Sequence, residues 1–211
     1  MLIALTLTMP VLSQGRLPHR SRFNHSSTEQ YYGLRLGLNI ASLSSDDAEW
    51  DTDSRAGIAF GAVYGLQLAN ATPLWLEAGL LYSEKGGKSV IQNETRKYRL
   101  SYLQVPLVIK YSLDIADDLY IDPFVGGFLA FGIAGKSKFY GTPAKDYKDR
   151  FSESSFDLYK RFDGGLRIGC GLEYQMLYAE LGFDFGLANI GKDDFSSTRT
   201  QGFFVNVGVN F

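Results

Sequence analysis

The sequence predicts an all-β fold, an eight-stranded antiparallel up-and-down transmembrane β-barrel, and three observations predict it. Eight segments alternate apolar and polar residues with period two, and no long segment carries a helical stripe. The connections between these segments alternate between short and long. The last segment alternates and ends on phenylalanine. A chain of 211 residues is one domain with enough length to close a barrel. Its 23 glycines, 15 phenylalanines and 13 tyrosines against 6 prolines favour strands and turns. One cysteine, Cys170, excludes a disulfide scaffold and any multi-cysteine metal site. A net charge of −2 removes the usual electrostatic basis for nucleic-acid binding.

The N-terminus is expected to direct export. Residues 1–12 (MLIALTLTMPVL) form an apolar run that suits a signal-peptide core and is too short for a membrane-spanning helix. Val11 and Ser13 are small enough for signal peptidase pockets, so residues 1–13 are read as a signal peptide. No Lys or Arg precedes the run, which places the true start codon upstream as an open alternative; a buried N-terminal strand is the other. Residues 14–31, polar and aperiodic for most of their length, are read as a flexible periplasmic lead-in, and residues 32–211 as the barrel domain.

The first strand, about 32–42, sets Leu34, Leu36, Leu38 and Ile40 against Arg35, Gly37 and Asn39. The second, about 56–68, sets Ile58, Phe60, Ala62, Tyr64, Leu66 and Leu68 against Ala59, Gly61, Val63, Gly65 and Gln67. The third, about 74–84, opposes Leu74, Leu76, Leu80 and Tyr82 to Trp75, Glu77, Gly79, Leu81 and Ser83. The fourth, about 98–111, opposes Leu103, Val105, Leu107, Ile109 and Tyr111 to Tyr102, Gln104, Pro106 and Lys110. The fifth, about 119–135, is the least regular, because Phe124 and Phe128 share a face with Asp122. The sixth, about 159–174, opposes Phe162, Leu166, Ile168, Cys170 and Leu172 to Arg161, Asp163, Arg167, Glu173 and several glycines. The seventh, about 177–188, opposes Leu181, Phe183, Phe185 and Leu187 to Glu180, Gly182, Asp184 and Gly186. The last, about 201–211, opposes Phe203, Val205, Val207, Val209 and Phe211 to Asn206, Gly208 and Asn210.

Which face points inward decides the solvent. The apolar stripes are built from Leu, Phe, Ile and Tyr, too bulky to fill an eight-stranded lumen together. The other face combines glycines with charges of both signs, a set that fills a closed polar interior when each charge finds a partner. An apolar exterior is therefore expected, around a structural charge network of Arg35, Glu77, Lys110, Asp163, Arg167, Glu173, Glu180 and Asp184. Links at 69–73, 112–118 and 175–176 are short; those at 43–55, 85–97, 136–158 and 189–200 are longer and polar. That alternation implies an even-stranded barrel with both termini in the periplasm. Tyr31, Tyr32, Trp75, Tyr82, Tyr98, Tyr111, Tyr120, Tyr174 and Tyr178 near strand ends are candidates for interfacial aromatic girdles, Trp75 having lumen parity. The closing FFVNVGVNF, with Phe203 and Phe211, is read as the signal recognised by the barrel-assembly machinery.

Four stretches, GLRLGLN (33–39), YLQVPLVIKY (102–111), FDGGLRIGCGLEY (162–174) and GLANI (186–190), carry a resemblance to a known family. The chain resembles the outer-membrane β-barrel domain family that includes PorT-like proteins of Gram-negative bacteria. The stretches span most of the expected barrel, and the one at 102–111 is the most specific. The resemblance implies an integral outer-membrane protein, generally without an assigned biochemical activity. PorT serves type IX secretion, a role that this broad resemblance does not carry over.

No catalytic residue, cofactor or metal is expected. Barrel hydrolases usually need a histidine base, and the only histidines, His19 and His25, precede the first strand. Asp46, Asp47, Glu49, Asp51 and Asp53 lack the glycine and terminal glutamate spacing of an EF-hand loop and are read as a solvated loop rather than a Ca²⁺ site. Lys85, Lys88, Arg96, Lys97 and Arg99 are read as a solvated loop, with lipopolysaccharide phosphates as the alternative partner. Tyr140, Tyr147, Arg150 and Phe151 in the third long loop are the candidate contact for an unknown protein partner, since aromatic and Arg residues dominate interface energetics. The expected role is structural or interactive, as a monomer in outer-membrane lipid and lipopolysaccharide. The alternatives are a soluble lipocalin-like barrel holding an apolar ligand, and a narrow small-solute channel.

Overall fold

The computed structural model describes residues 29–45, 53–69, 72–91, 94–140, 145–148, 160–190 and 198–211. The expected signal peptide, most of the lead-in, both histidines, Arg150 and Phe151 lie outside the described residues. Ten strands are present among the described residues: β1 (Gln30–Ser45), β2 (Asp53–Gln67), β3 (Leu74–Ile91), β4 (Glu94–Tyr111), β5 (Leu113–Ala116), β6 (Leu119–Tyr140), β7 (Lys145–Lys148), β8 (Phe162–Tyr174), β9 (Leu177–Gly186) and β10 (Thr198–Asn210). All pairings are antiparallel, in the order β4-β3-β2-β1-β10-β9-β8-β6, and β6 pairs back to β4 to close the ring. The result is a closed eight-stranded barrel, with the four-residue β5 and β7 as additions to β6. Closure satisfies every stave edge from within, which lipid cannot do.

The two ends of the barrel differ. At one end the connections are tight. β8 turns into β9 through Gln175 and Met176, with Gln175 in the left-handed region at φ 55°. The link expected at 112–118 is itself a small hairpin, in which β5 folds onto the start of β6 around Asp118 at φ 61°. The carbonyl of Tyr32 accepts the Phe211 amide at this same end, so the described chain starts and finishes together there.

At the other end the strands outrun the expectation. The polar segment 85–97 is not a long loop, because β3 continues to Ile91 and β4 starts at Glu94. Likewise the first residues of the expected 136–158 loop belong to β6, and residues 145–148 pair beside it as β7. Outside the apolar belt a strand needs no hydrophobic alternation, so polarity there is not evidence for a loop.

Parity follows the sequence in the staves, with one break in β6, where a bulge at Ile133 shifts it. Leu34, Leu36, Leu107 and Leu181 stand on the outside at 54%, 60%, 52% and 53% exposure, while Arg35, Lys110 and Asp184 between them are buried. A lipocalin-like barrel would need those stripes inside; here they are outside. Arg161 departs from the expectation: it precedes β8 and is exposed. Among the girdle candidates, Tyr32, Tyr111 and Tyr174 are exposed on the outer wall near the tight-turn end, joined by Tyr64, whose ring lies 5.1 Å from that of Tyr32. Tyr31, Trp75, Tyr120 and Tyr178 are instead buried and do not belong to a girdle. The Tyr98 side chain lies outside the described residues.

Candidate functional site: the filled lumen

The interior is the most organised chemical environment of the protein. It is built from the inward parity positions, and all eight charged residues expected there are buried. Toward the tight-turn end Glu77 is the hub. Its Oε2 accepts hydrogen bonds from Lys110 Nζ at 2.7 Å, Arg35 Nη2 at 3.2 Å and the Tyr31 hydroxyl at 2.6 Å. Lys110 also donates to the Tyr178 hydroxyl at 2.7 Å, which donates to Glu180 at 3.3 Å. Asn206 donates to the other Glu180 oxygen at 2.7 Å, and Asn210 donates to Glu173 at 2.8 Å while accepting from Arg35 at 2.8 Å. The Arg35 guanidinium lies 4.0 Å from the centre of the Tyr178 ring. One hydrogen-bonded network thus ties six staves across the lumen.

A second group lies nearer the other end. Arg167 grips Asp184 with two bonds, Nε to Oδ1 at 2.7 Å and Nη2 to Oδ2 at 3.0 Å, and Gln104 adds a third at 2.9 Å. Asp163 accepts from Thr200 at 2.7 Å and from Lys85 at 3.4 Å. Lys85 was expected in a solvated loop. It is buried, with its ammonium 4.1 Å from the centre of the Phe128 ring. Phe124 and Phe204 stand between the two groups, one 5.6 Å from Lys110 Nζ and the other 4.1 Å from the Arg167 guanidinium, their ring centres 6.4 Å apart.

The sequence alternation puts Tyr102 on the polar face and Phe124 and Phe128 with Asp122, but it does not reveal that these rings, with Tyr31 and Phe204, fill the lumen. Each is paired in register with a glycine on the next strand: Tyr31 with Gly65, Tyr102 with Gly132, Phe124 with Gly169, Phe128 with Gly165 and Phe204 with Gly182, and at Gly65, Gly169 and Gly182 a Cβ would run into the facing ring. A Cβ on Gly169 would come within 2.5 Å of Phe124 Cζ, and one on Gly182 within 2.5 Å of Phe204 Cζ. Glycine therefore makes room for rings rather than leaving the lumen open, and ring-over-glycine packing holds register as well as volume. The pairing is invisible to single-strand alternation, but becomes readable once register is known.

Apolar side chains cluster toward each end of the lumen. Tyr31, Val63, Trp75 and Leu81 pack together, with the Tyr31 and Trp75 rings 5.4 Å apart. Leu100, Tyr102, Phe128 and Ala130 pack with Ile190, which leaves β9 and turns back over the lumen. The Ile190 amide bonds to the Thr198 carbonyl at 2.9 Å and its carbonyl accepts from Lys160 at 2.6 Å. Ile190 lies in the GLANI stretch, and it is fully buried.

The other expected sites fall elsewhere. Tyr140 ends β6 and Tyr147 lies in β7, each in a strand rather than a loop, and their side chains lie outside the described residues. Phe203 and Phe211 are on the outer wall, 38% and 62% exposed. Cys170 shares the outward parity of Ile168 and Leu172 and makes a weak contact to the Gly171 carbonyl. Among the described residues no group of acidic, histidine or cysteine side chains has metal-binding geometry.

Solved structures similar to this chain are outer-membrane barrels. Neisserial surface protein A is 15% identical, with 85% of this chain and 97% of that chain covered and a TM-score of 0.48. Ail, the attachment invasion locus protein of Yersinia pestis, solved with the heparin analogue sucrose octasulfate, is 11% identical over 87% of this chain and 99% of that chain, TM-score 0.44. OprG from Pseudomonas aeruginosa is 10% identical over 86% and 95%, TM-score 0.41. The fold rests on the strand pairing of this chain, and these likenesses say nothing of what it binds. Curated protein sequences return no match. The family of the outer membrane protein beta-barrel domain matches residues 23–191, most of the barrel, and the chain belongs to that family.

Proposed function

We propose that this protein is a non-conducting, non-catalytic integral barrel of the outer membrane, monomeric in the bilayer, whose work is done by the surface it displays rather than by its interior. The observation that carries this reading is the filled lumen, in which two ion-paired groups, an aromatic layer and two apolar clusters occupy the interior. The tight-turn end is assigned to the periplasm and the long-strand end to the cell exterior, following the usual asymmetry of such barrels. An open apolar groove of about 560 Å³ on the outer wall, lined by Leu34, Leu36, Leu172, Tyr174 and Val207, suits an acyl chain of the inner leaflet. The stretch at 102–111 supports a PorT-like placement within the family, and a secretion accessory role is one form that an interaction function takes.

Planar-bilayer recording tests the reading. The refolded protein is expected to give no ion conductance, whereas replacing Phe124 and Phe204 together with alanine opens a water path and gives small, discrete steps. Steady conductance from the unaltered protein would make it a narrow channel instead.

A further inference from the structure

Beyond the apolar belt, β3, β4, β6 and β7 continue as a raised sheet whose backbone register brings cations together. Lys88 on β3 pairs with Lys97 on β4, which pairs with Lys138 on β6. Two residues nearer the belt, Arg99 on β4 pairs with Lys136 on β6, which pairs with Lys148 on β7. Like charges directly opposite on adjacent strands destabilise a sheet. Here cationic positions are opposed in two successive rows, an arrangement to which an anion is complementary.

The face these rows occupy is fixed by the staves below. Leu103 and Val105 are exposed on the outer wall, and Arg99 and Lys97 keep their parity. On β6 the parity would fail but for a bulge: Ser101 pairs with Ala134 and Tyr102 with Gly132, so Ile133 is an extra residue that returns Lys136 and Lys138 to the outer face. Arg99 itself is half exposed and holds Glu84 at 2.8 Å, while Glu84 also accepts from the Tyr82 hydroxyl at 3.0 Å. Asp53 pairs with Lys88 and Asp146 with Lys138 at the two ends of the upper row. Six cationic positions thus share this face with three carboxylates, on a grid of about 5 Å across strands and about 7 Å along them.

We propose that this outward cationic face binds the phosphates of anionic glycolipid headgroups in the outer leaflet, the lipid A type of headgroup. Charge complementarity gives the chemistry, and position gives the source. The rows stand on the same wall as the lipid-facing stripe and start four residues beyond Leu103, where headgroups begin and the lumen-facing side does not reach. The proposal rests on the membrane-spanning reading given above.

The test uses the full chain refolded in detergent, with bisphosphorylated lipid A, dephosphorylated lipid A and soluble polyphosphate as probes, and native mass spectrometry as readout. Heat-modifiable mobility is measured on every sample. The unaltered protein is expected to retain bisphosphorylated lipid A in preference to the dephosphorylated form, and to lose it as salt rises. The variant Lys97→Gln/Lys136→Gln/Lys138→Gln should retain at least about tenfold less. Arg96→Gln/Lys145→Gln alters cations on the opposite face of the same sheet and should change retention by no more than about twofold. Equal retention by the triple variant and the unaltered protein, with heat-modifiability intact, would overturn the proposal while leaving the barrel reading in place. Binding of soluble polyphosphate without any preference for the phosphorylated lipid would overturn it in favour of a soluble polyanion. Loss of heat-modifiability in the unaltered protein would instead overturn the membrane reading on which it rests.

Discussion

Glu77 is the residue on which the interior depends most. It is 4% exposed and forms ion pairs with both Arg35 and Lys110. Removing one partner of a buried ion pair leaves an uncompensated charge, at a cost of about 3–5 kcal/mol. Glu77→Ala should therefore lower barrel stability by that amount in urea unfolding from lipid vesicles, and Glu77→Gln by somewhat less, because the amide oxygen still accepts from Tyr31. Glycines give a second contrast at this scale. A Cβ on Gly182 meets Phe204 and the Ile168 carbonyl at 2.5 Å, whereas one on Gly127 meets only the Gly165 carbonyl at 3.1 Å. Gly182→Ala is expected to cost about 1–3 kcal/mol, the range for overpacking, and Gly127→Ala clearly less. Equal effects in the same unfolding assay would refute the ring-over-glycine account.

Among the elements, alternation in the sequence located all eight staves and, in all but the fifth, the face that each turns outward. The reason is physical: inside the apolar belt a one-residue slip would put Leu107 or Leu181 into the lumen and Lys110 or Asp184 into lipid. Beyond the belt that constraint ends, which is why 85–97 read as a loop and is two paired strands. Gly86, at φ 151°, lies within β3 and does not end it. β6 was irregular in sequence for two separate reasons: its inward face carries Phe124 and Phe128, and its bulge at Ile133 changes parity. The lipid-facing stripe makes its own prediction. Leu107→Arg, within the outward apolar stripe of β4, should cost about 2–4 kcal/mol in the bilayer, whereas the same substitution at Leu113, in the tight-turn hairpin, should cost less than about 1 kcal/mol.

For the whole molecule, the inverted arrangement links sequence to function. Charges that would solvate a soluble barrel are here paired inside it, and the rings that would form a soluble core are divided between lumen and lipid. The eight lumen charges were legible because their parity is opposite to an unbroken apolar stripe. Their partners were not: Arg35 and Glu77 lie on β1 and β3 with β2 between them and meet only because the sheet curls, while Arg167 and Asp184 face each other across β8 and β9 once register is known. What the protein presents outward, including the like-charge rows on β3, β4, β6 and β7, became readable only when register joined segments that the sequence keeps apart.

Spin-label accessibility along β4 in lipid bilayers tests that arrangement most directly. Labels are placed one at a time at Leu103, Gln104, Val105, Leu107, Val108 and Ile109, with Cys170→Ser as background. The structure predicts period-two behaviour: high accessibility to oxygen and low accessibility to a water-soluble nickel chelate at 103, 105, 107 and 109, and low accessibility to both at 104 and 108. High chelate accessibility at 103, 105, 107 and 109 would place that stripe in water and contradict the barrel as a lipid-facing protein.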